Sequence, residues 1–254
     1  MAVDRPFNAN APAPRIGGLS LEQRQQRQAQ ASTDSSFEAL GTLLRPDELS
    51  GLTAVISRMS RPGGGNVGRI TLGEGVYYIR QTLDLRYPGI ELIGTPGQTI
   101  FQRSVDFAGP MLRFNEAECA VEGIRFIDTI ATAGTQPCIE FANNASYGRV
   151  LKCTFQQCAR AIELDAPWQL VAENLIMSYS DVYGVHLTNN ADNCAVQCNR
   201  IVGSVRTIDI YAENTSGKNA FTGNVLSSAT GLSYKTGVGN IGTGLNSGTV
   251  VVRP

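Results

Sequence analysis

The pattern that most limits how this chain can fold is a recurring triplet. Two apolar residues flank one polar residue in Leu83/Leu85, Leu112/Phe114, Ile139/Phe141, Ile162/Leu164, Val185/Leu187, Ile208/Ile210 and Leu232/Tyr234, each triplet following the last at a nearly constant interval. A second track, Val121, Val150, Val171, Val196 and Phe221, recurs at a similar interval. Five residues after each of its members comes another apolar residue: Phe126, Phe155, Ile176, Ile201 and Leu226. Self-similarity with a period of roughly 20–50 residues marks a solenoid or a propeller. Alternation within each period indicates strands rather than helices, and a propeller blade needs ~40 residues. A leucine-rich-repeat frame is absent. The remaining solution is an all-β parallel β-helix of about seven coils, each stacked on the last at ~4.8 Å.

Asparagines reinforce this expectation. Asn174, Asn199 and Asn224 are evenly spaced along the chain and hold one place in three coils. Stacked amides can donate and accept along the solenoid axis, so the three are expected to form a structural ladder.

The segment "GRITLGEGVYYIRQTLDLRYPGIELIGTPGQTIFQRS", residues 68–104, resembles the first coils of pectate-lyase-like right-handed β-helices. Bacteriophage tailspikes and other virion spikes carry the same form. The resemblance spans about residues 46–245. It implies a right-handed helix with an N-terminal cap, a role matched by the apolar stripe Leu49, Leu52, Val55, Ile56 and Met59 within Pro46–Met59. It also implies a homotrimer. The superfamily includes lyases, hydrolases and non-enzymatic spikes, so it does not select an activity. The calcium-binding Asp cluster and catalytic Arg of pectate lyases have no clear counterpart here.

Residues 1–44 differ from the rest. They include "NANAPAPRIGG" and "SLEQRQQRQAQAS", too polar or too rich in Pro and Ala to build a core. This segment is expected to be a docking arm ordered on a partner, with Arg5, Phe7, Arg15 and Leu21 among its contacts. Residues 45–254 form the β-helix, with its cap helix and a Gly-rich C-terminal tail. In that tail Val250, Val251 and Val252 are expected against the last coil or a neighbouring subunit. The first twenty residues have no apolar core like that of a signal peptide, so synthesis in a host cytoplasm is expected.

The formal net charge is −1, with 17% charged residues. That excludes a strongly basic nucleic-acid binder and a polybasic membrane-surface protein. No apolar run approaches the ~20 residues of a membrane helix. Six cysteines, Cys119, Cys138, Cys153, Cys158, Cys194 and Cys198, include no CxxC and have a single histidine to accompany them. They read as buried thiols. No metal or cofactor is expected.

Alternation places the middle residues of the triplets in one outward column: Asp84, Arg113, Glu140, Glu163, His186, Asp209 and Ser233. Glu140–Glu163 and Glu163–Asp209 are candidate acid–base pairs of a polysaccharide lyase or glycosidase. A solvated or subunit-contacting face would have the same composition, so no catalytic set is assigned. Trp168, Tyr179 and Tyr183 are expected in turns, where aromatic rings could contact a host-surface glycan. The expected function is a virion structural protein of a phage. It would be a head decoration, head spike or short tail spike, held to capsid or tail proteins by the arm. The alternative is a polysaccharide-degrading enzyme or tailspike depolymerase.

Overall fold

The computed structural model describes residue 56 and residues 68–128, 136–158, 160–177, 183–188, 190–202, 208–213, 216–227, 230–235, 239–243 and 250–253. These residues form a parallel β-solenoid with three sheets. Sheet 1 has eight strands, from Gly68–Thr71 to Ile241–Thr243. Sheet 2 has seven, from Gly75–Ile79 to Val225–Leu226, and sheet 3 has eight, from Leu83–Leu85 to Val250–Arg253. The chain visits sheets 1, 2 and 3 in turn, and each strand pairs in parallel with its counterpart one coil on. This is the architecture implied by the periodicity and by the resemblance of residues 68–104.

Each strand contributes inward side chains that stack on those of the next coil. Val121, Val150, Val171, Val196 and Phe221 occupy one register position in sheet 1. Phe126, Phe155, Ile176, Ile201 and Leu226 do so in sheet 2. Tyr77, Phe101, Phe126 and Phe155 continue that column as a run of rings, with centroids 5.6, 5.6 and 5.0 Å apart. All four are fully buried. Burying such a ring contributes about 1.5–3 kcal/mol relative to exposure.

One register differs from the expectation. Val185 pairs with Ile210 and Leu187 with Ala212, while Ile210 pairs with Leu232. The sixth triplet is therefore Ile210/Ala212, not Ile208/Ile210. Five-residue strands of sheet 3 carry a second inward residue near their start: Cys138, Ala161 and Asp209 are all buried. Asp209 takes this inward place, and Tyr211 occupies the outward column beside His186.

Two corners repeat along the axis. Between sheets 1 and 2, Gly123, Lys152, Glu173, Cys198 and Gly223 all have positive φ, from 51° to 71°. Where the chain enters sheet 1, Gly89, Glu118, Tyr147, Trp168, Asn193, Lys218 and Gly239 do the same, at 56–85°. A left-handed residue costs an L-amino acid roughly 1–2 kcal/mol, so the stacked corners must recover that energy. The residue after each left-handed one turns inward, and in the first corner this is where the asparagines sit. Cys198 is exposed at its left-handed position, so five of the six thiols are buried and the sixth is not.

The ladder satisfies the corner backbone. The Oδ1 atoms of Asn174, Asn199 and Asn224 accept the backbone N–H of Cys153, Asn174 and Asn199 at 2.9, 3.0 and 3.1 Å. Their Nδ2 atoms donate to the carbonyls of Val150, Val171 and Val196 at 3.0, 3.0 and 2.9 Å. Amide-to-amide bonds of 2.9 and 3.0 Å link Asn174 to Asn199 and Asn199 to Asn224. A second ladder, not anticipated from the sequence, runs through the other corner. Asn219 Oδ1 accepts from Cys194 N–H at 2.7 Å, and Asn240 Oδ1 accepts from Asn219 N–H at 2.9 Å.

Of the expected cap helix, Ile56 alone is described: it is helical and buried in the core cluster. Val250–Arg253 pairs with the strand Thr230–Lys235, so the valine run closes sheet 3 at its last coil, with Val252 exposed. The arm residues Arg5, Phe7, Arg15 and Leu21 lie outside the described residues, as does Tyr179.

Asn199→Ala strands buried donors and acceptors on both neighbouring coils. It is expected to cost about 2–4 kcal/mol, read as a lower urea midpoint at unchanged slope. The exposed neighbour Arg200→Ala should stay within about 0.5 kcal/mol of the parent.

Candidate functional site

The outward face of sheet 3 carries a dense polar network. From coil to coil its column reads Asp84, Arg113, Glu140, Glu163, His186, Tyr211 and Ser233. Asp84 accepts from Arg86 at 3.0 Å and from the Asn115 amide at 3.1 Å. Arg113 donates to Glu140 from Nε at 3.0 Å and makes an ion pair with it at 2.9 Å. Arg160, which opens the strand carrying Glu163, donates to that carboxylate at 3.0 Å.

His186 is held between two acids. Its Nδ1 lies 3.2 Å from Glu163 Oε2, and its Nε2 lies 3.0 Å from Glu213 Oε1. The residue is 7% exposed because aromatic neighbours cover it. Tyr183 and Tyr211 stack with centroids 4.7 Å apart, and His186 lies 4.9 Å from the first and 5.7 Å from the second. Tyr183 thus belongs to the strand Tyr183–Leu187 and not to a turn.

The electrostatics have a consistent direction. The His186 hydrogen bond lowers the pKa of Glu163; burial opposes this, and the charges of His186 and Arg160 reinforce it. The net result holds Glu163 below its ordinary value of 4.5. A glycosidase general acid needs the opposite shift, a carboxyl kept protonated near neutral pH. Glu140, the neighbour of Glu163 in register, is itself tied to Arg113.

Asp209 is not on this face. It is fully buried, and its Oδ2 accepts the backbone N–H of Ser227 at 2.8 Å. The pair Glu163–Asp209 is therefore not assembled on one surface. Glu140, Glu163 and His186 are brought together as expected from their spacing. Arg160, Tyr211 and Glu213 complete the cluster, and the triplet pattern does not single them out. The interval shared by Val171, Val196 and Phe221 and by the three asparagines is the signal that aligns Tyr211 with His186.

Trp168 stands apart, in the corner that enters sheet 1. It is 50% exposed, and Tyr147, one coil away, is 56% exposed. Their rings are nearly parallel, 15° apart, with centroids 6.0 Å apart. Both are at left-handed corner positions, which direct them out of the solenoid. Tyr147 is a member of the same corner column that a register alignment identifies. Among the described residues, no group of three or more His, Cys, Asp or Glu side chains is arranged to hold a metal ion.

No family model matches this chain. No curated protein sequence matches it either. Among solved structures, it is similar to a pectin methylesterase in complex with a hexasaccharide, at 9% identity and a TM-score of 0.45, over 76% of this chain and 75% of that one. It is also similar to ORF18 of Geobacillus virus E2, at 11% identity and a TM-score of 0.46. That match covers 78% of this chain and 55% of the viral one, so the chain spans about half its length. Likeness at this level transfers no residue role.

A group whose pKa is lower folded than unfolded stabilises the fold above its unfolded pKa and loses that contribution as pH falls through the folded value. The stability advantage of the parent over Glu163→Gln should therefore be present just above about pH 4.5 and shrink progressively as pH falls below it. Urea unfolding of both proteins across a pH series measures this.

Proposed function

We propose that this chain is a structural protein of a phage virion, a head decoration or short spike whose solenoid projects from the particle. Residues 1–44 attach it to capsid or tail proteins, and it works as a homotrimer. The observation that carries the reading is the engagement of the sheet 3 carboxylates. Arg113 holds Glu140, and Arg160 and His186 hold Glu163. The Arg113 and His186 contacts join strands of successive coils, and those of His186 and Arg160 favour the ionised form of Glu163. They suit a rigid rod better than a leaving-group acid. The composition of residues 1–44, which builds no core of its own, and the resemblance of residues 68–104 to spike β-helices support the same reading.

The stacked pair Tyr147 and Trp168 favours one addition, contact with a glycan on the host surface. Two exposed, near-parallel rings offer apolar faces to sugar C–H groups.

Deleting residues 1–44 should leave the β-sheet circular dichroism unchanged and remove the protein from particles. Normal incorporation of the truncated chain would contradict the attachment role. The double change Tyr147→Ala and Trp168→Ala should leave assembly intact and reduce adsorption of particles to host cells by about tenfold, as loss of ~1.4 kcal/mol of binding implies.

A further inference from the structure

We propose that Cys138 and Cys158 are a covalent modification site, a pair of core thiols that oxidises to a disulfide stapling two successive coils. Cys138 lies in the strand Pro137–Phe141. Cys158 lies one coil on, in the corner before Arg160–Leu164. Both are fully buried, and their sulfurs are 2.7 Å apart. Non-bonded carbon atoms rest at about 3.5–4.0 Å, and sulfur is larger than carbon. The two side chains are therefore aimed at each other at a separation that a bond accommodates better than a contact.

The other buried thiols rest on backbone carbonyls. Cys119 meets that of Tyr87 at 3.2 Å, Cys153 that of Leu151 at 3.3 Å, and Cys194 that of Ala166 at 3.5 Å. Cys158 makes such a contact too, with Gln156 at 3.4 Å, but its nearer neighbour is the Cys138 sulfur. The surroundings hold the pair in place. Arg103 and Asp128, each 1% exposed, form an ion pair at 3.0 Å. Arg103 donates to the carbonyls of Gly109, Gln136 and Pro137, the last at 3.1 Å, and so fixes the start of the strand carrying Cys138.

The chemistry is thiol–disulfide exchange with a small-molecule disulfide such as glutathione disulfide. The Cys158 thiolate attacks one glutathione sulfur, a mixed disulfide forms and one glutathione thiolate leaves. The Cys138 thiolate then attacks the Cys158 sulfur, the protein disulfide forms and the second glutathione thiolate leaves. The two cysteine protons end on the two glutathiones. The cysteines lose two electrons and the glutathione disulfide gains them. Burial pushes the Cys158 thiol well above its ordinary range, so exchange in the closed solenoid is slow. The staple forms while the coils close.

The test refolds the full chain with glutathione disulfide, then alkylates it in denaturant. Four of the six cysteines should take the label, and six after reduction. Cleavage after Arg125, Arg149, Lys152 and Arg160 places Cys138 and Cys158 in separate peptides, which should be recovered linked. Cys153 shares the second peptide, so Cys153→Ser should keep the link and Cys158→Ser should lose it. The linked protein should melt roughly 6–12 °C above the reduced one. Six labelled cysteines after oxidative refolding, or a link through any other cysteine, would overturn the proposal.

Discussion

The structure depends on satisfying the polar backbone at the corner between sheets 1 and 2, where the bonds run from coil to coil. A parallel coil cannot close its turns by hairpin bonds, because its partner strands lie a full coil away. A buried N–H or C=O left without a match at this corner costs about 1–3 kcal/mol. Asparagine answers that demand because one amide both donates and accepts. Asn174, Asn199 and Asn224 accept from the backbone of one coil and donate to a carbonyl of the same neighbouring coil, while bonding to one another. The ladder ties together the coils that carry Val150, Val171, Val196 and Phe221.

That constraint also explains the sheet 3 face. Columns of side chains one strand spacing apart bring like charges close, which is destabilising. Here Glu140 and Glu163 are neighbours in register, and cationic partners relieve the repulsion: Arg113 holds Glu140, and Arg160 and His186 hold Glu163. The tyrosines at 183 and 211 pack beside the imidazole, which is buried between them and the two acids. The same residues that resemble an acid–base set in a linear reading are, in three dimensions, contacts between coils. This supports the virion role we propose: sheet 3 charges that hold successive coils together suit a stiff rod, and the Tyr147–Trp168 pair is left exposed.

Much of this is legible from spacing. The sheet 1 and sheet 2 columns and the first asparagine ladder follow from recurrences once per coil, because most inward positions hold apolar or ladder-forming side chains. The expectation fails where that rule loosens. Ile208/Ile210 and Ile210/Ala212 both satisfy an apolar–x–apolar triplet, and a two-residue slip preserves the alternation of faces. The interval of the asparagines and of Val171, Val196 and Phe221 resolves the ambiguity, placing Tyr211 and not Asp209 beside His186. The second ladder is hidden in the sequence because Asn219 and Asn240 have the non-asparagine Cys194 and Gln169 at the equivalent corner positions of the preceding coils. Cys198 departs from the expected burial because a left-handed corner turns a side chain outward whatever its hydrophobicity.

The most direct measurement of the central claim is immunogold electron microscopy of purified particles from the source, with an antibody raised against residues 68–254. The account predicts label on the particle, at the head surface for a decoration or at the tail for a short spike. Particles free of label, with the protein recovered in the particle-free lysate, would contradict it.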